Sequence, residues 1–159
     1  MIKEFDYIKI DDSNKNNYID IIAKQNWSAA KYLAKALVNQ KMFDDYFKEG
    51  NVYIMEYNKD FVGFATLSIK DCINDNSLFP WIGFLFINEK YRHHRYSQIF
   101  MEYLEQIAFK KYPYVYICTN HKGLYEKYGY TYLFDRLDLW NEKNMVYIKY
   151  KNWREKPKN

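Results

Sequence analysis

The stretch from Trp81 to Ser97 constrains the fold more than any other part of the chain. Trp81-Ile82-Gly83-Phe84-Leu85-Phe86-Ile87 is an unbroken apolar run, the pattern of a central strand buried on both faces. A polar and basic segment follows at once, Lys90-Tyr91-Arg92-His93-His94-Arg95-Tyr96-Ser97. Ile99, Phe100, Tyr103, Leu104, Ile107 and Ala108 then recur at helical spacing, and Val115-Tyr116-Ile117-Cys118 reads as a short buried strand. Strand, helix and strand in this order make a crossover, so strands 81–87 and 115–118 are expected to be parallel neighbours.

The rest of the chain supplies elements around that unit. Tyr7–Ile10 is a candidate leading strand. Asp11-Asp12-Ser13 offers N-caps to a helix reaching about Lys24, with Tyr18, Ile19, Ile22 and Ala23 on one face. Ser28 is placed to cap a second helix carrying Leu33, Leu37, Val38, Phe43, Tyr46 and Phe47, with Gly50 as its left-handed stop. Val52–Tyr57 and Phe61–Ile69 flank a polar turn and read as a hairpin. His121–Tyr128 reads as a short helix stopped by Gly129, and two strands follow, Tyr130–Asp138 and Met145–Tyr150. The expected fold class is therefore mixed α/β, with six to seven strands and about four helices in a single domain spanning residues 1–159. No Pro/Gly/Ser linker or internal repeat divides the chain.

Composition excludes several functions. Five scattered glycines in 159 residues cannot make a G-x-G-x-x-G dinucleotide fingerprint or a G-x-x-x-x-G-K-[ST] phosphate loop. The two cysteines, Cys72 and Cys118, form no C-x-x-C or zinc spacing, so no metal is expected. They fit a reduced, intracellular protein, although two cysteines could form one bridge. No run approaches the length of a membrane span, and acidic residues near the start, Glu4 and Asp6, argue against a leader. The expectation is a cytoplasmic protein. Net charge is +4 with acids and lysines interleaved, which supplies no basic face for nucleic acid.

The basic segment is the chemical signal. It holds two of the four Arg and two of the three His. In a Lys-biased chain, Arg suits bidentate recognition of an anion. A loop at the N-terminus of a helix, beyond the carboxyl end of a strand, presents free N–H groups and a partial positive charge. A phosphorylated ligand is the natural inference; a solvated basic loop is the bland alternative.

These residues also carry a resemblance. The strand Phe84-Leu85-Phe86-Ile87, its approach Asn88-Glu89-Lys90-Tyr91 and Arg92 resemble the acetyl-CoA-dependent N-acetyltransferases of the GNAT superfamily, whose signature is [QR]-x-x-G-x-[GA] before a helix. Arg95 and Ser97 stand where that signature has small residues, so the loop resembles a subgroup form, Arg-x-His-Arg-x-Ser. Leu124-Tyr125-Glu126-Lys127-Tyr128-Gly129-Tyr130 is similar to a second family block. The resemblance implies a GNAT-like fold with the CoA cleft between splayed strands 81–87 and 115–118. It implies an acetyl-CoA co-substrate held by Phe86, Ile87, Arg92, His93, His94, Arg95, Tyr96, Ser97 and Asn120, and Tyr125 as general acid to the departing thiolate. It leaves a homodimer open.

The strand equivalent to 81–87 carries a carboxylate in many members; here it has none, and the candidate bases are Glu56, Asp71, Asp75, His121 or a water. The resemblance puts the acceptor opposite CoA, near Trp27, Tyr32, Asp71, Asp75, Phe79 and Trp81, with Trp27, Asp71 and Trp81 as the substrate-binding set. Aromatics with acids suit a cationic amine, and polyamine, aminoglycoside, amino acid and protein N-terminus all stay open. The competing readings are a non-catalytic acyl-CoA-binding module of the same fold and, with less support, an RNA-binding domain.

Overall fold

In the computed structural model, which describes residues 4–152, seven strands form one mixed sheet. They are β1 (Asp6–Lys9), β2 (Gly50–Tyr57), β3 (Asp60–Ser68), β4 (Trp81–Ile87), β5 (Tyr114–Thr119), β6 (Thr131–Leu137) and β7 (Lys143–Tyr150). Their order is β1-β2-β3-β4-β5-β7-β6. All neighbours are antiparallel except β4 and β5, the crossover pair. Four helices flank the sheet: α1 (Ile19–Ala23), α2 (Ser28–Val38), α3 (Gln40–Phe47) and α4 (Tyr96–Ala108). This is the mixed α/β class expected from the sequence.

Strand alternation splits the core into layers. Val52 and Ile54 of β2 face α1–α3 and pack with Ile22, Leu33, Phe47 and Phe64. Their neighbours Tyr53 and Met55 face α4 and pack with Phe100, Leu104, Val115 and Ile117. A third cluster, Ile73, Trp81, Tyr116, Val146 and Ile148, fills the far end between β4, β5 and β7.

The helical boundaries differ from the sequence expectation where a polar side chain found a competing local bond. Asp11 Oδ1 accepts the N–H groups of Ser13 and Asn14 at 2.8 and 3.1 Å. That local turn leads into a 3₁₀ turn at Lys15–Asn17, and the first helix is only Ile19–Ala23. The long second helix is two. Asn39 leaves the helical region (φ −115°, ψ 100°), and its side chain accepts Met42 N–H, capping α3. Ser28 is the first residue of α2, with Trp27 at the cap. Gly50 opens β2, and the α3 stop falls on Lys48, at φ 64°.

β4 is the strand that matters for function. Its register with β3 skips between Phe64↔Phe86 and Thr66↔Gly83, so Phe84 and Leu85 bulge against Ala65, and Phe84 sits at φ 50°. A bulge frees backbone groups from the ladder and re-aims side chains. On the opposite edge, β4 meets β5 at a single pair, Trp81↔Tyr116, so from Ile82 onward the two strands part. Trp81 and Ile82 are buried as a central strand requires, whereas Gly83–Ile87 are half-buried because that edge opens into a cleft.

Candidate active site

The parting of β4 and β5 makes a cleft of 1170 Å³ that runs from the basic turn before α4 to the aromatic side chains of α2 and α3. At the basic end, His93 and Arg95 both adopt left-handed backbone (φ 69° and 61°), and Arg95 is the N-cap of α4 (ψ 25°) without a side-chain cap bond. This turns the chain tightly so that the first N–H groups of a thirteen-residue helix face the cleft, a nest with a helix dipole behind it. Arg92 is held from the other side: its Nε donates to Ile87 O at 2.8 Å, and its guanidinium lies 5.4 Å from the Phe86 ring centroid. Its remaining N–H donors stay available. Ser97 Oγ and Tyr128 Oη are 3.0 Å apart, which ties this helix start to the turn that carries Tyr125.

That turn is a 3₁₀ segment, Tyr125–Tyr128, closed by Gly129 in left-handed backbone at φ 94°, where glycine carries no steric penalty. Tyr125 lines the cleft and is wedged edge-on against Tyr128 and Tyr130, at centroid distances of 5.9 and 6.3 Å. Burial, with Tyr128 and Cys118 adding to it, pushes its phenol up to about 12. It is protonated at any working pH.

Across the cleft, Asp71 follows β3 and is 4% exposed. Its Oδ1 accepts Cys72 N–H at 2.7 Å and the Tyr46 hydroxyl at 3.2 Å. Its Oδ2 has no hydrogen-bond partner, and neither has Thr66 Oγ1. Both orphan atoms point at one spot: a Cβ placed on Gly83 would lie 2.1 Å from Asp71 Oδ2 and 3.2 Å from Thr66 Oγ1. Burial raises the Asp71 carboxyl to about 6, against the lowering effect of the two bonds to Oδ1. Two buried, unpartnered polar atoms packed over a bare strand position are rare in a folded interior, and here they sit in the wall of the cleft that Asp71 and Gly83 line.

The sequence-derived residues fall unequally. Ile87, Arg92, His93, Arg95, Tyr96, Ser97, Asn120 and Tyr125 all line the cleft, as do Trp27, Tyr32 and Asp71. His94 turns away and lies beside the Tyr96 ring, at 5.3 Å. Phe86 puts its ring on Phe64 and Trp27, at 5.1 and 6.1 Å. Trp81 is corrected most sharply. It is fully buried, its ring tilted against Tyr116 at 5.4 Å, and its Nε1–H donates to Leu78 O, so it is a core residue outside the acceptor side. Asp75 caps its own turn through Ser77, and Phe79 packs on Tyr112.

Sequence reasoning missed Gly83, Thr66 and Tyr46. A lone glycine inside a strand pattern is the one signal it had, since it marks close approach of another group. It also missed that Asp71 Oδ, Cys72 Sγ and Cys118 Sγ converge to within 4.8 Å, because only the fold brings these segments together.

Comparison with known proteins agrees with this geometry. Residues 19–130 match the acetyltransferase (GNAT) family. No curated protein matches. Among solved structures, the chain is similar to aminoglycoside acetyltransferase AAC(6')-Ib in complex with coenzyme A (TM-score 0.72, 11% identity, covering 96% of this chain and 98% of that one). It is similar to aminoglycoside 6'-acetyltransferase type Ii (TM-score 0.65, 16% identity, 96% and 99% covered). A GNAT acetyltransferase from Elizabethkingia anophelis with acetyl-CoA bound superposes at TM-score 0.59, with 16% identity over 92% of this chain and 97% of that one. The fold and cleft define an acyltransferase architecture, and the family match covers well over half of the chain. The protein belongs to the GNAT acetyltransferase family.

Proposed function

We propose that the protein transfers the acetyl group of acetyl-CoA to a primary amine of a small molecule or peptide, by direct attack in a ternary complex. The observation that carries this reading is the pairing of two oppositely disposed proton groups across one cleft: an unpartnered Asp71 oxygen over Gly83, and the protonated Tyr125 on the facing turn. Acetyl transfer needs one group to take a proton from the attacking nitrogen and another to give one to the departing sulfur. The second similarity block, Leu124–Tyr130, supports Tyr125 as the donor.

The residues present fit acetyl-CoA on geometry of their own. The free β4 edge is extended backbone suited to an amide-bearing arm, and the nest at Arg92–Ser97 with Arg95 at the cap suits a pyrophosphate. Acetyl-CoA supplies the activated thioester. Arg92 and Arg95 hold the anionic end. The bulge at Phe84–Leu85 supplies backbone N–H to polarise the thioester carbonyl. Asp71 receives the ammonium of the acceptor and then its proton; Trp27, Tyr32 and Tyr46 shape that side with aromatic faces that suit a cation. Asp71 replaces the strand carboxylate that β4 lacks: Gly83 leaves room for it to be delivered from the preceding loop. The compartment implied is the cytoplasm, where thiols are held reduced unless an oxidant reaches them.

Consumption of acetyl-CoA across an amine panel, read by chromatography of free CoA, tests the reading, with a melting shift by CoA alone as the companion measurement. Turnover with at least one amine supports it. A clear melting shift with no turnover for any amine class would favour the acyl-CoA-binding module, and no shift at all would remove both.

A further inference from the structure

The cleft wall holds the only two cysteines of the chain, and the transfer chemistry uses neither. Cys72 follows Asp71 in the loop after β3, and Cys118 lies on β5. Both are free and half-buried, both line the cleft, and their sulfurs lie within 4.8 Å of one another. With two cysteines among 159 residues, on segments far apart in sequence, a meeting at the cleft is a specific feature of the fold.

We propose that Cys72 and Cys118 are a site of oxidative modification, at which a low-molecular-weight disulfide converts the facing thiols of the β3–β4 loop and β5 into an intramolecular bridge that closes the acceptor side of the cleft. The Cys72 thiolate attacks one sulfur of the small disulfide. A Cys72–sulfur bond forms, the small disulfide's bond breaks, and one small thiol leaves with a proton. The Cys118 thiolate then attacks the Cys72 sulfur and expels the second small thiol. Two cysteine thiols are oxidised and one small disulfide is reduced to two thiols, so atoms and electrons balance. The order of attack follows the setting: the Cys72 thiol beside it, with burial and the Asp71 carboxylate, pushes the Cys118 thiol up, which fits it to the second, intramolecular step.

Bridging has a mechanical consequence. Cys118 is fixed in the ladder opposite Val146 of β7, and a disulfide brings its sulfurs to about 2.05 Å. The loop residue must therefore do most of the moving. Cys72 N–H donates to Asp71 Oδ1 at 2.7 Å, so a displacement of Cys72 carries Asp71 away from Gly83. Cys72 O also accepts Leu139 N–H at 2.9 Å, so the β6–β7 loop beside the cleft shifts with it. The effect on turnover rests on the acetyltransferase reading; the bridge itself does not.

The test uses the full chain, reduced, treated with a chelator, and exposed to oxidised glutathione. The expected product has lost the mass of two hydrogens and both titratable thiols, yields a Cys72–Cys118 peptide pair, and is restored by dithiothreitol. The ratio of oxidised to reduced turnover should fall by about 100-fold, the scale of a misplaced catalytic group. In the Cys72→Ser/Cys118→Ser variant that ratio should be one. Retention of both thiols, or glutathione adducts on them without a bridge, overturns the site. A bridge that leaves the ratio at one overturns the closure. Mass and thiol count need no turnover, so a protein that acetylates no amine fails the functional reading while the bridge is still decided.

Discussion

The Asp71 carboxylate occupies the space that a side chain at position 83 would fill, with Oδ2 2.1 Å from where a Gly83 Cβ would stand. Glycine at this position is thus a condition for the carboxylate's place, and the pair behaves as one unit. Gly83→Ala should push Asp71 out of its position and lower acetyl transfer by about 100-fold, with CoA binding within about twofold, since the phosphate turn lies at the other end of β4. Turnover and CoA affinity measured side by side check this; equal loss of both would show that the substitution disturbs the whole strand.

Asp71 also sets the acid limb of the pH profile. Its carboxyl is raised from 3.8 to about 6 by burial, and only the ionised form accepts a proton. The rate should therefore climb with pH through about 6 and level off above it. Asp71 faces Tyr46 of α3, Thr66 of β3, Cys72 in its own loop and Cys118 of β5; burial pushes the Tyr46 hydroxyl up, and the Cys72 thiol with burial pushes the Cys118 thiol up, so neither ionises near that pH. Asp71→Asn should abolish the limb and lower turnover by about 100-fold or more.

The same shift predicts a gain in stability for Asp71→Asn. Between 3.8 and about 6 the folded wild type binds a proton that the unfolded chain has released. Wild-type stability therefore falls as pH rises across that window, and the deficit stays constant above it. Asn has no such slope and keeps an acceptor for Cys72 N–H and Tyr46. Urea titrations should show the variant ahead by about 1–3 kcal/mol above the window and level with wild type below it.

Tyr125→Phe should lower turnover by about 100-fold with little change in acetyl-CoA affinity. With its phenol near 12, Tyr125 gives the wild type no alkaline fall within the usual assay range. An unchanged rate, with chemistry shown to be limiting by single-turnover measurement, would remove Tyr125 from the reaction.

Legibility in the sequence followed the range of the interactions. The crossover of β4, α4 and β5 could be read because periodicity and apolar runs report burial locally. The helix boundaries at Asp11 and Asn39 could not, because a side chain bonding its own backbone outcompetes a periodic pattern that continues past it. Gly50 mimics a helix stop in sequence, yet a Cβ built on it would lie 2.9 Å from the Cβ atoms of Phe47 and Ser68, so close packing at the start of β2 is what it serves. The basic turn was legible as composition; the left-handed backbone of Arg95, at the position where the resembled signature has a small residue, came only with the structure. Trp81 was misplaced because an aromatic on a cleft strand reads the same whether it faces the cleft or the core. Asp71 over Gly83, and Cys72 against Cys118, exist only once β3, β4 and β5 are assembled.

The layer beneath Tyr125 contains a buried charge pair. Lys149 Nζ and Glu105 Oε1 are 2.7 Å apart with side chains 7% and 6% exposed, and Tyr130 Oη donates to Glu105 Oε2 at 2.7 Å. Tyr130 N–H in turn donates to Tyr125 O, so the pair supports the turn that carries the proposed acid. Lys149→Met leaves Glu105 buried with only the tyrosine to meet it, and removal of one partner of such a pair costs about 3–5 kcal/mol. Replacing both, as Glu105→Leu/Lys149→Met, removes the uncompensated charge and should recover most of that loss. Tyr130 would then have lost its acceptor, so the recovery should be incomplete by about 1 kcal/mol and should be completed by adding Tyr130→Phe. Urea unfolding of the single, double and triple variants measures each step, and a double variant as unstable as Lys149→Met would show that packing around these side chains, and not their charge, holds the layer together.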